Sequence, residues 1–209
     1  MVLALGAHAD DIELGCGGTL IALREMLKQK LKLLYVLFTK EDNLTQVQQE
    51  ARAAAERLGA AEILIYDYPD TYLPNCWADI KGKLLSIRNR YSNIQCIFTH
   101  FRLDQHQDHQ TVSQNTWRIF RNHLIFEYEI FKYEGDLRTP NLYVPLSQDI
   151  ASRKIDLLMD CYPSRHAGTF AHDWFTRDNL LSLMRIRGME SNSFFAEGFH
   201  TRKAVCSFI

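Results

Sequence analysis

AHADDIELGCGGTL, residues 7–20 of the chain, directly follows the apolar run Val2 to Leu5. This order predicts a first strand with His8, Asp10 and Asp11 at its carboxyl end. A second polar cluster, LDQHQDHQTV at residues 103–112, follows another apolar run, Ile94 to Thr99. In open α/β sheets, ligands bind in the crevice beyond the carboxyl ends of the strands. The two clusters are therefore expected to meet around one metal ion.

Short runs rich in Leu, Ile and Val alternate with longer stretches of helical period, which indicates βαβ units and a largely parallel sheet. The expected strands are Val2–Ala7, Lys32–Phe38, Glu62–Tyr66, Ile94–Thr99, Ile125–Tyr128, Asn141–Pro145 and Lys203–Phe208. The expected helices are Gly18–Gln29, Gln46–Leu58, Ala78–Arg90, His109–Arg121, Gln148–Cys161 and Asp173–Arg187. Loops are expected at 39–45, 68–75, 131–140 and 164–172. The sequence predicts one α/β domain over residues 1–209.

The composition excludes several classes of protein. A formal net charge of −1 and scattered Lys and Arg residues argue against a nucleic-acid partner. Five widely spaced cysteines without a CxxC pair argue against a disulfide framework and a thiolate zinc site, and favour a reducing cytoplasm. No apolar run approaches the roughly 20 residues of a membrane span, so a soluble, cytoplasmic protein is expected. The sequence is compatible with a homo-oligomer and does not decide the oligomeric state.

The two clusters contain the residue types of a catalytic metal site. Zinc in enzymes commonly takes three protein ligands and leaves a fourth position for water, and His8, Asp11 and His109 would supply that set. Fe²⁺ or another divalent metal would also accept these ligands. Asp10 is the candidate general base, because adjacent carboxylates in a turn can point in different directions. A solvated loop would explain the cluster at residues 103–112 about as well, from the residues alone.

Protonation of a departing amine requires an acid near the metal. His106 is the candidate for this role and for stabilising negative charge on the substrate's carbonyl oxygen. Asp108 is expected to accept the ring N–H of His106 and to raise its pKa. The glycines at 15, 17 and 18 lack the spacing of a phosphate-binding loop and indicate a tight turn into a helix. Cys16 is expected to be a buried packing residue.

AHADDIELGCGGTL is similar to the AHPDDxE-GxGGT signature of the PIG-L/LmbE-like zinc-dependent deacetylases, and HQDH (residues 106–109) resembles their HxDH motif. Further similarity covers most of the chain, including residues 50–60, 127–144 and 195–199. The resemblance implies a Rossmann-like three-layer sandwich and the removal of acetyl groups from N-acetylglucosamine-type sugars, free or linked to a carrier. It implies His8, Asp11 and His109 as metal ligands, Asp10 as the base and His106 as the acid, with Asp108 behind it.

The sequence departs from the family pattern at two places. Ala9 replaces the usual proline, and Val47 lies where many relatives have an arginine that would contact the substrate. Sugar recognition is therefore expected to differ. Arg102 and Arg138 are candidate substrate contacts, and Arg165 also lies in a loop that would face the site. Each of the three is expected first as a solvated surface arginine, with contact to an anionic carrier as the alternative.

Two other functions fit parts of the pattern. His106 and Asp108 with a distant His166 or His172 would satisfy the facial triad of a non-haem Fe(II) oxygenase. Such enzymes usually rest on jelly-roll barrels, which this alternation of helices and strands does not predict. The other alternative is a catalytically inactive sugar-binding relative. The presence of the base, the acid and the ligands together argues against it.

Overall fold

A computed structural model describes residues 1–40, 44–167 and 171–204 of the chain. One seven-stranded sheet forms its centre, in the order β3-β2-β1-β4-β5-β7-β6. The strands are β1 Val2–Gly6, β2 Leu33–Lys40, β3 Ala60–Pro69, β4 Cys96–His100, β5 Leu124–Tyr128, β6 Leu142–Leu146 and β7 Phe195–His200. The first five strands in this order are parallel, and β7 pairs antiparallel with both β5 and β6. The predicted α/β fold with a mostly parallel sheet is confirmed.

Helices cover both faces of the sheet, and an apolar layer lies beneath each set of helices. The helices are α1 Asp11–Leu27, α2 Leu44–Leu58, α3 Trp77–Arg90, α4 Gln107–Ile119, α5 Gln148–Cys161, α6 Pro163–His166 and α7 Arg177–Glu190. Within the described part of the chain, no helix is long and apolar enough to cross a bilayer. The parallel order places the carboxyl ends of β1, β2, β3 and β4 along one edge of the sheet.

One predicted helix is wrong in position, and one strand of the sheet was not predicted. Helix α1 begins at Asp11, seven residues before the expected start at Gly18. The last strand is Phe195–His200, whereas most of the expected strand Lys203–Phe208 lies outside the described residues and its first two residues are not in a strand. The run FAEGFH was overlooked because it is short and contains a glycine, which is depleted in strands.

The glycines near the start of the chain form part of α1 and allow close packing, contrary to the expected tight turn. A Cβ atom on Gly15 would lie 2.1 Å from the ring of Tyr128, and one on Gly18 would lie 2.6 Å from Leu146 Cδ1. Side chains at these positions would push α1 off the sheet. Cys16 is fully buried between them, where its Sγ donates to the Ile12 carbonyl. The glycines therefore fix the height of α1, which carries Asp11, above the strands.

A buried ion pair between α5 and β7 anchors helix α1. Glu197 on β7 accepts hydrogen bonds from the backbone N–H groups of Gly18 and Thr19 at 2.8 and 2.7 Å. Lys154 on α5 lies 2.6 Å from the same carboxylate and donates to the Leu14 carbonyl at 2.7 Å. Both charged side chains are almost fully buried. The pair therefore joins α1, α5 and β7 at one point.

Replacing Lys154 with methionine is expected to lower the free energy of unfolding by roughly 3–5 kcal/mol, because Glu197 would remain as an uncompensated buried charge. Urea denaturation of the wild type and the variant measures this loss. The double variant Lys154→Met/Glu197→Gln should recover part of it, since no buried charge remains. Equal unfolding midpoints for the wild type and Lys154→Met would contradict this account of the junction.

Candidate functional site

Three side chains from two neighbouring strand ends meet at the edge of the sheet. His8 Nδ1 lies 3.2 Å from His109 Nε2 and 3.5 Å from Asp11 Oδ2, and His109 Nε2 lies 3.4 Å from Asp11 Oδ1. His8 and Asp11 follow β1, and His109 lies in the first turn of α4 after β4. Four ligands placed tetrahedrally at zinc-bond lengths are separated by roughly 3.3 Å. Four atoms of these three side chains, namely His8 Nδ1, His109 Nε2 and the two Asp11 carboxylate oxygens, therefore lie at separations close to those of metal ligands.

His100 at the end of β4 extends this cluster beneath the surface. Asp11, His100 and His109 together form a group that could hold a metal, and His8, His106 and His109 form another. The His100 ring stacks on the His109 ring with 3.9 Å between centroids. Burial is the largest of the influences that lower the pKa of His100 to about 4, and its Nε2 accepts the backbone N–H of Ala7 at 2.9 Å. Because this lone pair is already engaged, His100 supports the cluster from below.

Asp104 orients the second histidine. Its Oδ2 lies 2.9 Å from His109 Nδ1, and Lys132 Nζ lies 3.0 Å from the same oxygen. Although burial acts to raise the pKa of Asp104, the neighbouring His109, His100 and Lys132 hold it well below its usual range. A carboxylate at Nδ1 keeps the proton on that side of the ring. His109 Nε2 is therefore free to face Asp11 and His8.

The opposite edge of the His8 ring faces two carboxylates. His8 Nε2 lies 2.9 Å from Asp70 Oδ1 and 3.2 Å from Asp108 Oδ2. The Asp108 carboxylate also accepts the backbone N–H groups of Thr71 and Leu73 at 2.8 and 3.0 Å, which fixes the loop after β3. Burial lowers the pKa of His8, but the hydrogen bonds with Asp108, Asp11 and Asp70 outweigh it and raise that pKa well above its usual value. This arrangement directs His8 Nδ1 towards Asp11 and His109.

The expected pairing of Asp108 with the His106 ring is wrong. His106 caps α4, and its Nδ1 accepts the backbone N–H of Asp108 at 3.3 Å while the carboxylate turns towards His8. Burial lowers the pKa of His106, and the nearby His109 and His8 lower it further, so the expected upward influence of Asp108 is present but outweighed. The reason is local. The side chain of a residue that caps a helix accepts a backbone N–H group of the first turn, here that of Asp108, and this leaves the Asp108 side chain pointing elsewhere.

Asp10 has an unusual backbone and a buried cationic partner. Its φ angle of 81° lies in the left-handed region that non-glycine residues seldom adopt. Arg165 on α6 donates from Nε to Asp10 Oδ2 at 2.8 Å and from Nη2 to the Ala9 carbonyl at 3.3 Å. Both side chains are at least 90% buried. Arg165 therefore holds the turn between β1 and α1 and fixes the orientation of the Asp10 carboxylate.

Glu13 of the first motif is buried in the first turn of α1 and does not reach the cluster. Its Oε2 accepts hydrogen bonds from the hydroxyls of Tyr35 and Tyr162 at 3.2 and 3.0 Å. Burial raises the pKa of Glu13 to about 8, although these hydrogen bonds oppose the rise. The folded protein therefore keeps a proton on Glu13 at neutral pH, whereas the unfolded chain releases it above its usual pKa near 4.5.

The proton on Glu13 should make stability depend on pH. Between the unfolded pKa near 4.5 and the folded pKa of about 8, the native state binds the extra proton. The free energy of unfolding therefore falls as pH rises, by at most about 1.4 kcal/mol per unit. The variant Glu13→Gln removes this contribution, so its stability relative to the wild type should increase from pH 5.5 to pH 7.5 in urea denaturation. A constant difference at the two pH values would contradict the raised pKa.

A cleft of about 620 Å³ opens over the cluster and is lined on one side by His8, Asp10, Asp11, Asp70, His106 and Arg165. Arg102 and Arg138 do not line it. Arg102 forms an ion pair with Glu127 at 2.7 Å and borders a separate groove. Arg138 is exposed, and its backbone carbonyl accepts a hydrogen bond from Arg187 Nη2. Neither candidate substrate contact therefore lines the cleft over the cluster. Val47 packs in the apolar layer.

The sequence did not single out Asp70, because the run PDT (residues 69–71) at the end of β3 indicates only a turn. Its position at the end of a strand on the same edge of the sheet was the available signal. Among the described residues, no group that could hold a metal combines His106 and Asp108 with His166 or His172, as the oxygenase alternative requires. His166 Nε2 contacts the Met159 carbonyl at 2.9 Å, and the sheet is not a jelly roll.

Comparison with known proteins places these features among deacetylases. Over 121 residues the chain is 31% identical to the uncharacterized deacetylase YaiS of Escherichia coli (strain K12). This alignment covers 54% of the chain and 64% of that relative, which is less than two thirds of the relative's length.

Two solved structures share the fold at low sequence identity. The conserved protein TT1542 from Thermus thermophilus has a TM-score of 0.79 at 20% identity, covering 99% of this chain and 96% of that one. The N,N′-diacetylchitobiose deacetylase from Pyrococcus horikoshii has a TM-score of 0.76 at 19% identity, covering 96% and 82%. The family model described as PIG-L, GlcNAc-PI de-N-acetylase, matches residues 3–120. Because this match covers more than half of the 209 residues and both motifs, the chain belongs to the PIG-L family of deacetylases.

Proposed function

We propose that this protein hydrolyses the N-acetyl group of an N-acetylglucosamine-type sugar or glycoconjugate with the help of a bound divalent metal, zinc in the first instance. The observation that carries the proposal is the convergence of His8, Asp11 and His109 within 3.5 Å of one another, beside Asp10 and His106 in an open cleft. The products are acetate and the free amino sugar.

His8 Nδ1, the Asp11 carboxylate and His109 Nε2 would hold the metal. This set is preferred over Asp11, His100 and His109 because the backbone N–H of Ala7 already occupies His100 Nε2. Asp104 behind His109, and Asp70 with Asp108 behind His8, are the outer carboxylates that metal-binding histidines usually have. When bound, zinc would lower the pKa of a coordinated water and polarise the acetyl carbonyl.

Asp10 is proposed to take the proton from the attacking water. It lines the cleft next to Asp11, and the hydrogen bond from Arg165 fixes its orientation. The buried guanidinium lies 2.8 Å from Asp10 Oδ2 and balances the negative charge of the carboxylate. As the water oxygen bonds to the acetyl carbon, its proton passes to the Asp10 carboxylate.

His106 is proposed to serve the other half of the reaction. It lines the same cleft and contacts the His8 ring edge-on at 4.8 Å between centroids. In its protonated form it would donate to the carbonyl oxygen as negative charge grows there, and then give its proton to the amine nitrogen as the C–N bond breaks.

Replacing Asp70 with asparagine is expected to weaken zinc affinity by about 10–100-fold, the usual effect of losing an outer-shell carboxylate. The physical reason is that Asp70 Oδ1 lies 2.9 Å from His8 Nε2 and helps to hold Nδ1 towards the metal. Competition with a chromophoric chelator measures the affinity. The matched control is Asp67→Asn, an exposed aspartate on β3, the strand that directly precedes Asp70, which should bind zinc like the wild type. Equal affinities for all three proteins would contradict this role for Asp70.

Acetate release from a panel of N-acetylhexosamines and their glycosides tests the proposed function. The purified protein is assayed as isolated, after removal of metal with a chelator, and after return of zinc or iron(II). Release that disappears with the chelator and returns with one metal supports the proposal and identifies that metal. A metal-loaded protein that binds these sugars without releasing acetate would overturn it in favour of an inactive sugar-binding relative.

A further inference from the structure

A second groove brings together arginines that are far apart in the sequence. Its volume is about 470 Å³, and it lies between the segment after β4, the second half of α4 and the segment after β7. Four of its seven lining residues are arginines, namely Arg102, Arg118, Arg121 and Arg202. Among the residues that the structure describes, its lining contains no acidic side chain and shares no residue with the cleft over the metal cluster. The fold therefore forms a separate cationic groove, the arginine groove.

Most of the positive charge in the arginine groove is not neutralised. Arg102 pairs with the buried Glu127 at 2.7 Å, whereas the other three arginines have no carboxylate partner in the described part of the chain. The carboxyl end of α4 contributes only about half a negative charge. Arg88 Nη1 and Arg121 Nε already donate to the carbonyls of its last residues, at 3.3 and 3.1 Å. The uncompensated guanidinium groups repel one another, and a bound anion would relieve this repulsion.

Aromatic rings hold two of the guanidinium groups in place. Arg118 Cζ lies 4.7 Å from the centroid of the Trp77 ring, and Arg202 Cζ lies 5.4 Å from the centroid of the Trp117 ring. Trp117 Nε1 donates to the buried Glu127 carboxylate, which fixes that ring. A contact over a ring leaves most of the five N–H donors of a guanidinium available to an anion. The donors are therefore ordered in advance, which reduces the entropy lost on binding.

Guanidinium groups bind phosphate oxygens through paired, parallel hydrogen bonds, which favours phosphate over other anions. One phosphate group carries about 1.5–2 negative charges at neutral pH, so two linked phosphates come closer to the three uncompensated charges of Arg118, Arg121 and Arg202. The volume of about 470 Å³ lies within the roughly 300–1,000 Å³ of small-molecule pockets. We infer that the arginine groove binds a small anion that contains a diphosphate group. This inference does not depend on the proposed deacetylation.

Calorimetric titration of the metal-free protein with pyrophosphate tests the inference. Metal is removed first, because pyrophosphate also binds zinc. We expect one pyrophosphate per chain, with an affinity that falls as salt is added. Asp11→Ala, which alters the cleft and leaves the groove intact, should bind pyrophosphate like the wild type. Absence of binding at low salt would overturn the inference, and so would loss of binding in Asp11→Ala.

Variants in the groove assign the binding to its arginines. Arg118→Gln and Arg121→Gln should each lower the affinity for pyrophosphate by roughly 10–100-fold, the effect of losing a hydrogen bond between charged groups. Arg118→Lys retains the charge without the paired donors and should recover only part of the affinity. The control is Arg52→Gln, an exposed arginine on α2, which should bind like the wild type. Equal affinities in Arg118→Gln, Arg121→Gln and the wild type would overturn the inference.

Other anions separate recognition of a diphosphate from attraction by charge alone. Sulfate has one tetrahedral group, and citrate carries its negative charges on carboxylates, so each should bind roughly ten-fold more weakly than pyrophosphate. Equal affinity for citrate would overturn the assignment to a diphosphate. ADP presents the same group on a nucleoside. Binding of ADP at least as tight as that of pyrophosphate would identify a nucleotide as the source of the diphosphate, and weaker binding would identify free pyrophosphate.

Acetate release keeps this test separate from the proposed function. Metal-loaded Arg121→Gln should release acetate at the wild-type rate, because Arg121 does not line the cleft. Failure to bind pyrophosphate would therefore leave the deacetylase proposal intact. Absence of acetate release from the metal-loaded wild type would overturn that proposal without affecting the arginine groove.

Discussion

Replacing Asp10 with asparagine is expected to lower kcat by about 10²–10⁴-fold, the range that a positioned general base contributes. Asparagine has nearly the same shape and can still accept the hydrogen bond from Arg165 Nε, but its amide cannot take a proton from water. Zinc content should remain at the wild-type level, because Asp10 is not among the three proposed ligands. Steady-state acetate release and metal analysis on the same preparation measure both quantities.

The metal content is the control for this prediction. If Asp10→Asn lost its zinc, the fall in kcat would report a damaged metal site and Asp10 would be a ligand. If the variant kept its zinc and its wild-type turnover, Asp10 would have no part in proton transfer. The account needs full metal content and low turnover together.

Replacing Asp11 with alanine is expected to abolish both metal binding and turnover. Asp11 contributes carboxylate oxygens within 3.5 Å of His8 and His109, and its Oδ2 also accepts the His8 backbone N–H at 2.7 Å. Although burial acts to raise the pKa of Asp11, His109 and His100 hold it well below its usual range. The side chain is therefore an anion in the folded protein, as a metal ligand must be.

The loss of zinc affinity in Asp11→Ala should exceed the roughly 10–100-fold expected for an outer-shell residue such as Asp70. Chelator competition on Asp11→Ala, Asp10→Asn and the wild type ranks the three proteins. Equal zinc affinity in Asp11→Ala and the wild type would remove Asp11 from the metal site. Equal losses in the two variants would overturn the division of roles between these adjacent aspartates.

Much of this architecture could be predicted from the sequence because it depends on local patterns. The apolar runs before His8 and His100 predicted two strands, and the parallel sheet brings their carboxyl ends to one edge. Local sequence could not reveal the partners of each side chain. Asp108 faces His8, 100 residues away, because the loop after β3 binds its carboxylate through backbone N–H groups.

Contacts that depend on distant packing were also not predictable. Arg165 was one of three loop arginines with equal standing in the sequence, and only the position of α6 beside the turn at Asp10 distinguishes it. Helix α1 could not be assigned from residue 11 onward because three glycines oppose helix formation by about 1 kcal/mol each. Tight packing against Tyr128 and Leu146 requires them there.

X-ray data collected at the zinc absorption edge from crystals of the metal-loaded protein test the central claim most directly. The account predicts one anomalous peak within bonding distance of His8 Nδ1, the Asp11 carboxylate and His109 Nε2, with Asp10 and His106 beside it and unbound. A peak bonded to His100, to Asp10 or outside this cluster would contradict the assignment of the metal ligands and the mechanism built on it.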